Sequence, residues 1–425
     1  MKKIINILLV IFVFTLSGNA QIDFNNYFTQ GSMRVDLILA GNATEKQVYL
    51  DEIKKEAFWG GPHEHLKDFF DYGEYRYEVR DKATGQLIFS RGFCTLFEEW
   101  QTTNEAKQVN RSFEQTVTFP YPIEAISFLV KARKRDGKFE ELFSMDIDPA
   151  NYFISPERDA VEVRKIFGEG APESSVDLAF IAEGYTQEEM AKFLNDVKEM
   201  ADYILSQTPF NKFRDRFNIW AVLSPSADSG VEIPGEKIYK KTAVNSSFYT
   251  FDSERYLTTE DIKSTRSLAA NVPYDAILIL ANEKKYGGGG IYNHYAISTV
   301  DHRLSKKVLI HEFGHSFAGL GDEYYTSSVS YNDYYNLEIE PWQPNITTMV
   351  DFEKKWKNMI KPETPIPTPR EEQFENTVGV FEGGGYVARG IYSPVMDCRM
   401  KSNAAEGFCP VCQEAIEEMI LFYTE

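Results

Sequence analysis

Residues 308–325 read Val-Leu-Ile-His-Glu-Phe-Gly-His-Ser-Phe-Ala-Gly-Leu-Gly-Asp-Glu-Tyr-Tyr. His311 and His315 are four apart, so on a helix they lie about one turn from each other and can reach one ion. Zinc takes nitrogen, sulfur or carboxylate donors in a tetrahedron. Glu312 follows the first histidine and is placed beside such an ion rather than on it. A carboxylate there can take a proton from a metal-activated water and deliver it to a leaving amine. That is the physical content of His-Glu-x-x-His.

A histidine pair at this spacing is also a common surface feature, so context decides. Ile310, Phe313, Phe317 and Leu320 recur at helical spacing and define a core face. The spacing predicts a helix from about Ser305 to Ala318 with the two histidines and Glu312 on another side. Gly319 and Gly321 then end it in left-handed backbone, and a sharp turn brings the chain back toward the metal. Asp322 is the first possible ligand after that turn, and Glu323 adjoins it. A glutamate from a later helix is the rival arrangement, with Glu414, Glu417 and Glu418 available, but it leaves the 319–322 turn without a purpose.

The stretch His311 to Tyr324, with its Gly-x-x-Asp-Glu-Tyr extension, resembles the signature of the bacterial IgA-peptidase-type zinc metallopeptidases, relatives of the metzincins. The resemblance runs from about residue 155 to the C-terminus and implies a metzincin-like domain with a mixed sheet, an active-site helix and a methionine turn. It implies zinc as cofactor, His311, His315 and Asp322 as its ligands, and Glu312 as general base. Asp322 is favoured over Glu323 for the third place. In ordinary metzincins the glycine lies three and the last ligand six residues past the second histidine; here Gly319 is four and Asp322 seven past it. For the methionine turn, Met400 is chosen over Met396, because the Cys398-x-Met400 pairing is closer to the family pattern.

The elements that must position these residues follow an N-terminal region of different character. Residues 21 to about 150 carry short alternating segments: Met33–Leu39, Tyr75–Val79, Gln115–Phe119 and Ile126–Val130. Turn signals separate them, which predicts an antiparallel β-sandwich. This region resembles the accessory domain of the same family. His63-Glu64-His65 follows a Gly-Gly-Pro turn and is read as exposed loop. Beyond Pro149 the pattern alternates: strands at Val176–Ile181, Phe217–Leu223 and Ala276–Leu280, and a helix opened by the capping box Thr186-Gln-Glu-Glu189. The fold class expected is therefore multidomain α+β, divided as 1–20, 21–150 and 155–425. Gly290 to Val300 is expected to be an edge strand above the active-site helix, suited to pairing with an extended peptide, with Asn293, His294 and Tyr295 on it and His294 lining the cleft. Tyr324, Tyr386 and Tyr392 are the candidates for stabilising an oxyanion. Cys412 to Tyr423 reads as a helix behind the site. Tyr331, Tyr334 and Tyr335 cluster in a long insertion.

The chain has 425 residues, enough for two cores. Its first 20 residues have the lysines, apolar stretch and small-residue end of a cleaved signal peptide, so export is expected, to periplasm, surface or medium. The net charge of −19 becomes −21 when Lys2 and Lys3 leave with that segment. Such acidity argues against nucleic-acid binding, and no second apolar run suggests stable membrane insertion. Of four cysteines, Cys398, Cys409 and Cys412 cluster near the C-terminus, where export favours a disulfide. Cys409-Pro-Val-Cys412 could be half a zinc ribbon or a redox motif, but only one other cysteine is near and no histidine follows.

These features point to an exported zinc endopeptidase acting on protein or peptide. Immunoglobulin A cleavage in the resembled family makes host glycoprotein a candidate substrate, with specificity left to the cleft loops. An inactive binding protein for host glycoprotein or glycan is the competing class, but it has no chemical need for Glu312. A cell-wall peptide amidase would share the ligands and differ in cleft shape. No Gly-x-Ser-x-Gly elbow supports serine chemistry.

Overall fold

The computed structural model describes residues 21–157, 160–325 and 335–425. The first 20 residues and the tyrosines at 331 and 334 lie outside the described residues.

The N-terminal part contains α1 (Phe24–Tyr27), β1 (Phe28–Gly41), β2 (Lys46–Glu56), β3 (Tyr75–Asp81), β4 (Leu87–Phe93), α2 (Leu96–Gln101), β5 (Arg111–Pro122), β6 (Ile126–Arg133), β7 (Phe139–Ile147) and β8 (Ser155–Pro156). They form two four-stranded sheets, ordered β5-β1-β2-β8 and β4-β3-β6-β7. Alternation puts Val35, Leu37 and Leu39 of β1 and Tyr75, Tyr77 and Val79 of β3 into one buried core. Phe119 of β5 bridges the sheets, its ring 6.5 Å from Tyr77 and 5.8 Å from Phe128. Strands β1 to β7 pair antiparallel, while β8 joins β2 in parallel from beyond residue 150.

The second part contains β9 (Glu162–Phe167), β10 (Val176–Glu183), α3 (Met190–Ser206), β11 (Phe217–Leu223), α4 (Ile262–Ala269), β12 (Ala276–Ala281), β13 (Gly288–Ile291), β14 (Tyr295–Thr299), α5 (Ser305–Ala318), β15 (Phe381–Gly384), β16 (Val387–Ser393) and α6 (Pro410–Thr424). Six strands make a mixed sheet ordered β13-β14-β12-β10-β11-β9. Strand β10 is buried along its whole length, as a central strand covered on both faces must be. Its Leu178 and Phe180 share a core with Phe193 and Val197 of α3, Leu309 and Phe313 of α5, and Ile416 and Ile420 of α6. Its Ala179 and Ile181 face the other way, into the core that also holds the sandwich. The N-terminal sandwich therefore shares a hydrophobic core with the sheet that carries helix α5.

Charged contacts reinforce this junction. The buried Arg34 guanidinium of β1 donates to Asp36, Glu157 and the Ser267 hydroxyl of α4. The His63-Glu64-His65 segment is not a simple exposed loop. The His63 ring stacks on Phe24 at 3.7 Å, and His65 stacks on Phe422 of α6 and hydrogen-bonds its carbonyl at 2.8 Å. The flat apolar faces of the imidazoles win over their polarity here. Among the described residues no helix is long and apolar enough to cross a membrane.

Candidate active site

Helix α5 spans the residues that periodicity predicts and buries Ile310, Phe313 and Phe317, with Leu320 buried just past its end. Gly319 ends it with φ 64°, and the Gly319 and Leu320 amides bond the carbonyls of His315 and Gly314. A Cβ on Gly319 would also press within 3.0 Å of Trp342. Gly321 does not share the left-handed backbone expected of it; its amide bonds the Asn345 side chain at 2.7 Å. Turning there places the Leu320 carbonyl 2.6 Å from His315 Nδ1, and the Arg399 carbonyl lies 2.9 Å from His311 Nδ1. Each ring nitrogen so engaged carries the proton, which leaves both Nε2 lone pairs pointing inward.

The inward atoms meet. His311 Nε2 and His315 Nε2 are 3.1 Å apart, and Asp322 Oδ1 is 3.1 Å from the first and 3.3 Å from the second. A tetrahedron with those edges has its centre about 2 Å from each vertex, the zinc–nitrogen and zinc–oxygen distance. Asp322 Oδ1 is buried and accepts no hydrogen bond. Three lone pairs converging without a donor demand a cation, so these residues fit zinc. The electrostatics favour positive charge at the same point. Burial works against charge on His315, yet Asp322 and Glu312 override it and push the ring up to about 9. Asp322 is held well below the usual carboxylate range: burial opposes this, but the two histidines outweigh it.

The Glu312 carboxylate lies within 4.8 Å of both histidine donor atoms. Burial raises its affinity for protons, while both histidines oppose the shift. Asp322 is gripped from the far side by the Tyr386 hydroxyl, which donates to Oδ2. Tyr386 sits in the turn between β15 and β16 with φ 67°, and the neighbouring Gly385 amide bonds the Asp322 carbonyl at 2.8 Å. Tyr324 packs edge-on to Tyr386, and both line the cleft. Tyr392 does not line it; its backbone pairs with Thr347.

Glu323 is turned away from the histidines. Its Oε1 accepts from Asn345 at 3.0 Å and from the Cys412 thiol at 3.2 Å. Glu417 pairs with Lys212, and Glu414 and Glu418 border a separate hollow. Met400 is fully buried under α5, where a Cβ added to Gly314 would lie 2.9 Å from its sulfur; Met396 is only half-buried.

The site lies in a cleft of about 380 Å³. Along one wall runs β13, and its glycines permit the contact: a Cβ on Gly290 would stand 2.3 Å from the Glu312 carbonyl oxygen. The edge strand is shorter than expected. Residues 292–294 form a hairpin turn, and β14 lies inside the sheet. His294 is buried beside Arg266 rather than lining the cleft, and neither Asn293 nor Tyr295 lines it. The outer edge is also partly taken, since the Leu257 amide bonds the Gly288 carbonyl at 3.2 Å.

Sequence reasoning missed the contribution of the sandwich. Glu99 of α2 and Cys94 line the cleft. Burial pushes the Glu99 carboxyl up to about 7, with the Tyr256 hydroxyl, which donates to it at 2.6 Å, and His315 pulling the other way. No local signal marks Glu99, because it enters from a separate part of the chain.

The family model described as IgA Peptidase M64 matches residues 165–377 and 370–420. The model described as Peptidase M64 N-terminus matches residues 23–144. No curated protein matches the chain significantly.

Proposed function

The chain belongs to the IgA peptidase M64 family, a family of metallopeptidases, and from that premise we propose that it is an exported zinc-dependent endopeptidase. One observation carries the reading: three inward lone pairs from His311, His315 and Asp322 converge at 3.1–3.3 Å on the floor of an open cleft, with Glu312 beside them.

When bound, zinc supplies Lewis acidity toward water and the scissile carbonyl. His311, His315 and Asp322 hold it, and the Arg399 and Leu320 carbonyls fix the ring tautomers. The Glu312 carboxylate accepts the proton of the attacking water and delivers it to the departing amine. Burial raises its affinity for protons, the direction that favours accepting one. Tyr386 spends its one hydroxyl proton on Asp322, which leaves Tyr324, beside it in the cleft, as the phenol to offer toward the oxyanion. The length of β13 beyond Gly288, as far as Ile291, gives an extended peptide a backbone to lie along. Met400 supports the floor as the methionine turn of a metzincin-like domain. Export rests on the character of the first 20 residues, and a host glycoprotein such as immunoglobulin is a candidate substrate.

Removing metal with a chelator and restoring zinc tests this reading. Cleavage of an unstructured protein should vanish and return with stoichiometric zinc; cleavage that persists in metal-free protein would overturn it. The binding-protein reading has nothing to explain the placement of Glu312.

A further inference from the structure

Asp322 and Glu323 are consecutive, yet their carboxylates enter different places. Asp322 joins the histidines, and Glu323 joins Cys398, Cys409 and Cys412. One donor atom from each of these four residues lies within 4.8 Å of all the others. The four residues are between 0% and 6% exposed. We propose that this cluster is a second, structural metal site, in which three cysteine thiolates and one glutamate carboxylate hold zinc, independent of the catalytic one.

The geometry has the dimensions of a zinc–thiolate tetrahedron. Cys398 and Cys412 sulfurs are 3.8 Å apart. A tetrahedron of that edge has its centre about 2.3 Å from each vertex, the zinc–sulfur distance. Backbone amides point at the sulfurs as they do at thiolates: the Cys409 amide at Cys398 Sγ, 3.2 Å, and the Cys412 amide at Cys409 Sγ, 3.5 Å. The Cys409-Pro-Val-Cys412 turn opens α6 with Cys409 as its cap. The fourth donor that the local sequence lacks comes from Glu323, and its Oε2 is buried without a hydrogen-bond partner.

A disulfide accounts for these groups less well. The four cysteines are free. Oxidising one pair needs an external oxidant and leaves one buried thiol and the Glu323 carboxylate unanswered. Metal binding uses all three sulfurs and the carboxylate, releases the thiol protons and changes no oxidation state. A thiolate-rich tetrahedron selects zinc over harder ions.

The site would tie together three segments that build the catalytic floor. Glu323 follows Asp322. Cys398 precedes Arg399, whose carbonyl orients His311, and Met400, whose carbonyl accepts from the Glu323 amide at 2.9 Å. Cys409 and Cys412 begin α6, which packs with α5 in one core.

The test uses the full mature chain with the double substitution His311→Ala, His315→Ala, which empties the catalytic site. Metal analysis should find one zinc per chain in this variant and one more in the wild type. Cobalt titration of the same variant should give an intense thiolate-to-cobalt charge-transfer band, which histidine and carboxylate ligands cannot produce. Cys409→Ser with Cys412→Ser should remove that band and one zinc. If that variant does not fold, thiol alkylation of the native histidine variant replaces it: three cysteines should be protected until a chelator is added. A histidine variant without metal, whether its cysteines are freely alkylated or its mass is two hydrogens lower from a disulfide, would overturn the proposal.

Discussion

Replacing Tyr386 by phenylalanine removes one oxygen and leaves the packing against Tyr324 in place. That oxygen donates to Asp322 Oδ2, while Oδ1 faces the two histidines. A hydrogen bond to a charged acceptor contributes roughly 1.5–3 kcal/mol, and about 1.4 kcal/mol is a factor of ten. Loss of the phenol should thus weaken zinc binding at this site by about 10- to 100-fold, the range typical of groups that orient a metal ligand. Competition against a chromophoric chelator measures it directly. Kinetics at saturating zinc check that holding Asp322 is its role: with the site filled, kcat should stay close to that of the wild type, whereas loss of an oxyanion donor would lower it by roughly 10²–10³-fold. Unchanged zinc affinity would refute the placement of Tyr386 in the site.

Gly290→Ala should push β13 off α5, because its Cβ meets the Glu312 carbonyl oxygen at 2.3 Å; kcat/KM should fall by about 100-fold, as misplacement of about 1 Å can cost, with zinc content unchanged. Arg34→Ala leaves Asp36 and Glu157 without their buried partner and should cost about 3–5 kcal/mol in urea unfolding, with both parts of the chain unfolding together. Glu56 is buried with Oε1 unbonded, and burial raises its carboxyl from 4.5 to about 7, against the pull of Arg34. A raised folded-state value means a contribution present below pH 4.5 and lost as pH rises through about 7. Glu56→Gln should therefore gain roughly 1–3 kcal/mol over the wild type above pH 7 and little at pH 4.5, read from denaturant curves at both values.

Local pattern made much of this site legible. Helical spacing located α5, the sandwich strands followed from alternation, and the capping box at Thr186 opens the short 3-10 turn that leads into α3, with the Glu189 carboxylate on the Thr186 amide. The direction of neighbouring side chains after Gly319 was not legible. The sequence favours Asp322 over Glu323 as ligand but does not say where Glu323 goes, which the turn decides, with Asn345 and Cys412 waiting on its other side. His294 misled because a residue on an expected edge strand above the active-site helix reads as cleft-lining, whereas a tight hairpin buries it against Arg266. Glu99 and the fourth donor to the cysteine cluster escaped for one reason: both come from distant parts of the chain, and long-range contacts leave no periodicity.

The account turns on Glu312 as the proton carrier beside a bound metal. Glu312→Gln keeps the size of the side chain and removes its basicity. The decisive measurement is the rate of peptide-bond cleavage in an unstructured protein substrate by wild type and this variant, loaded to equal zinc content. The account predicts equal metal and a loss of at least about 100-fold in kcat for the variant. Equal rates from the two proteins would contradict it.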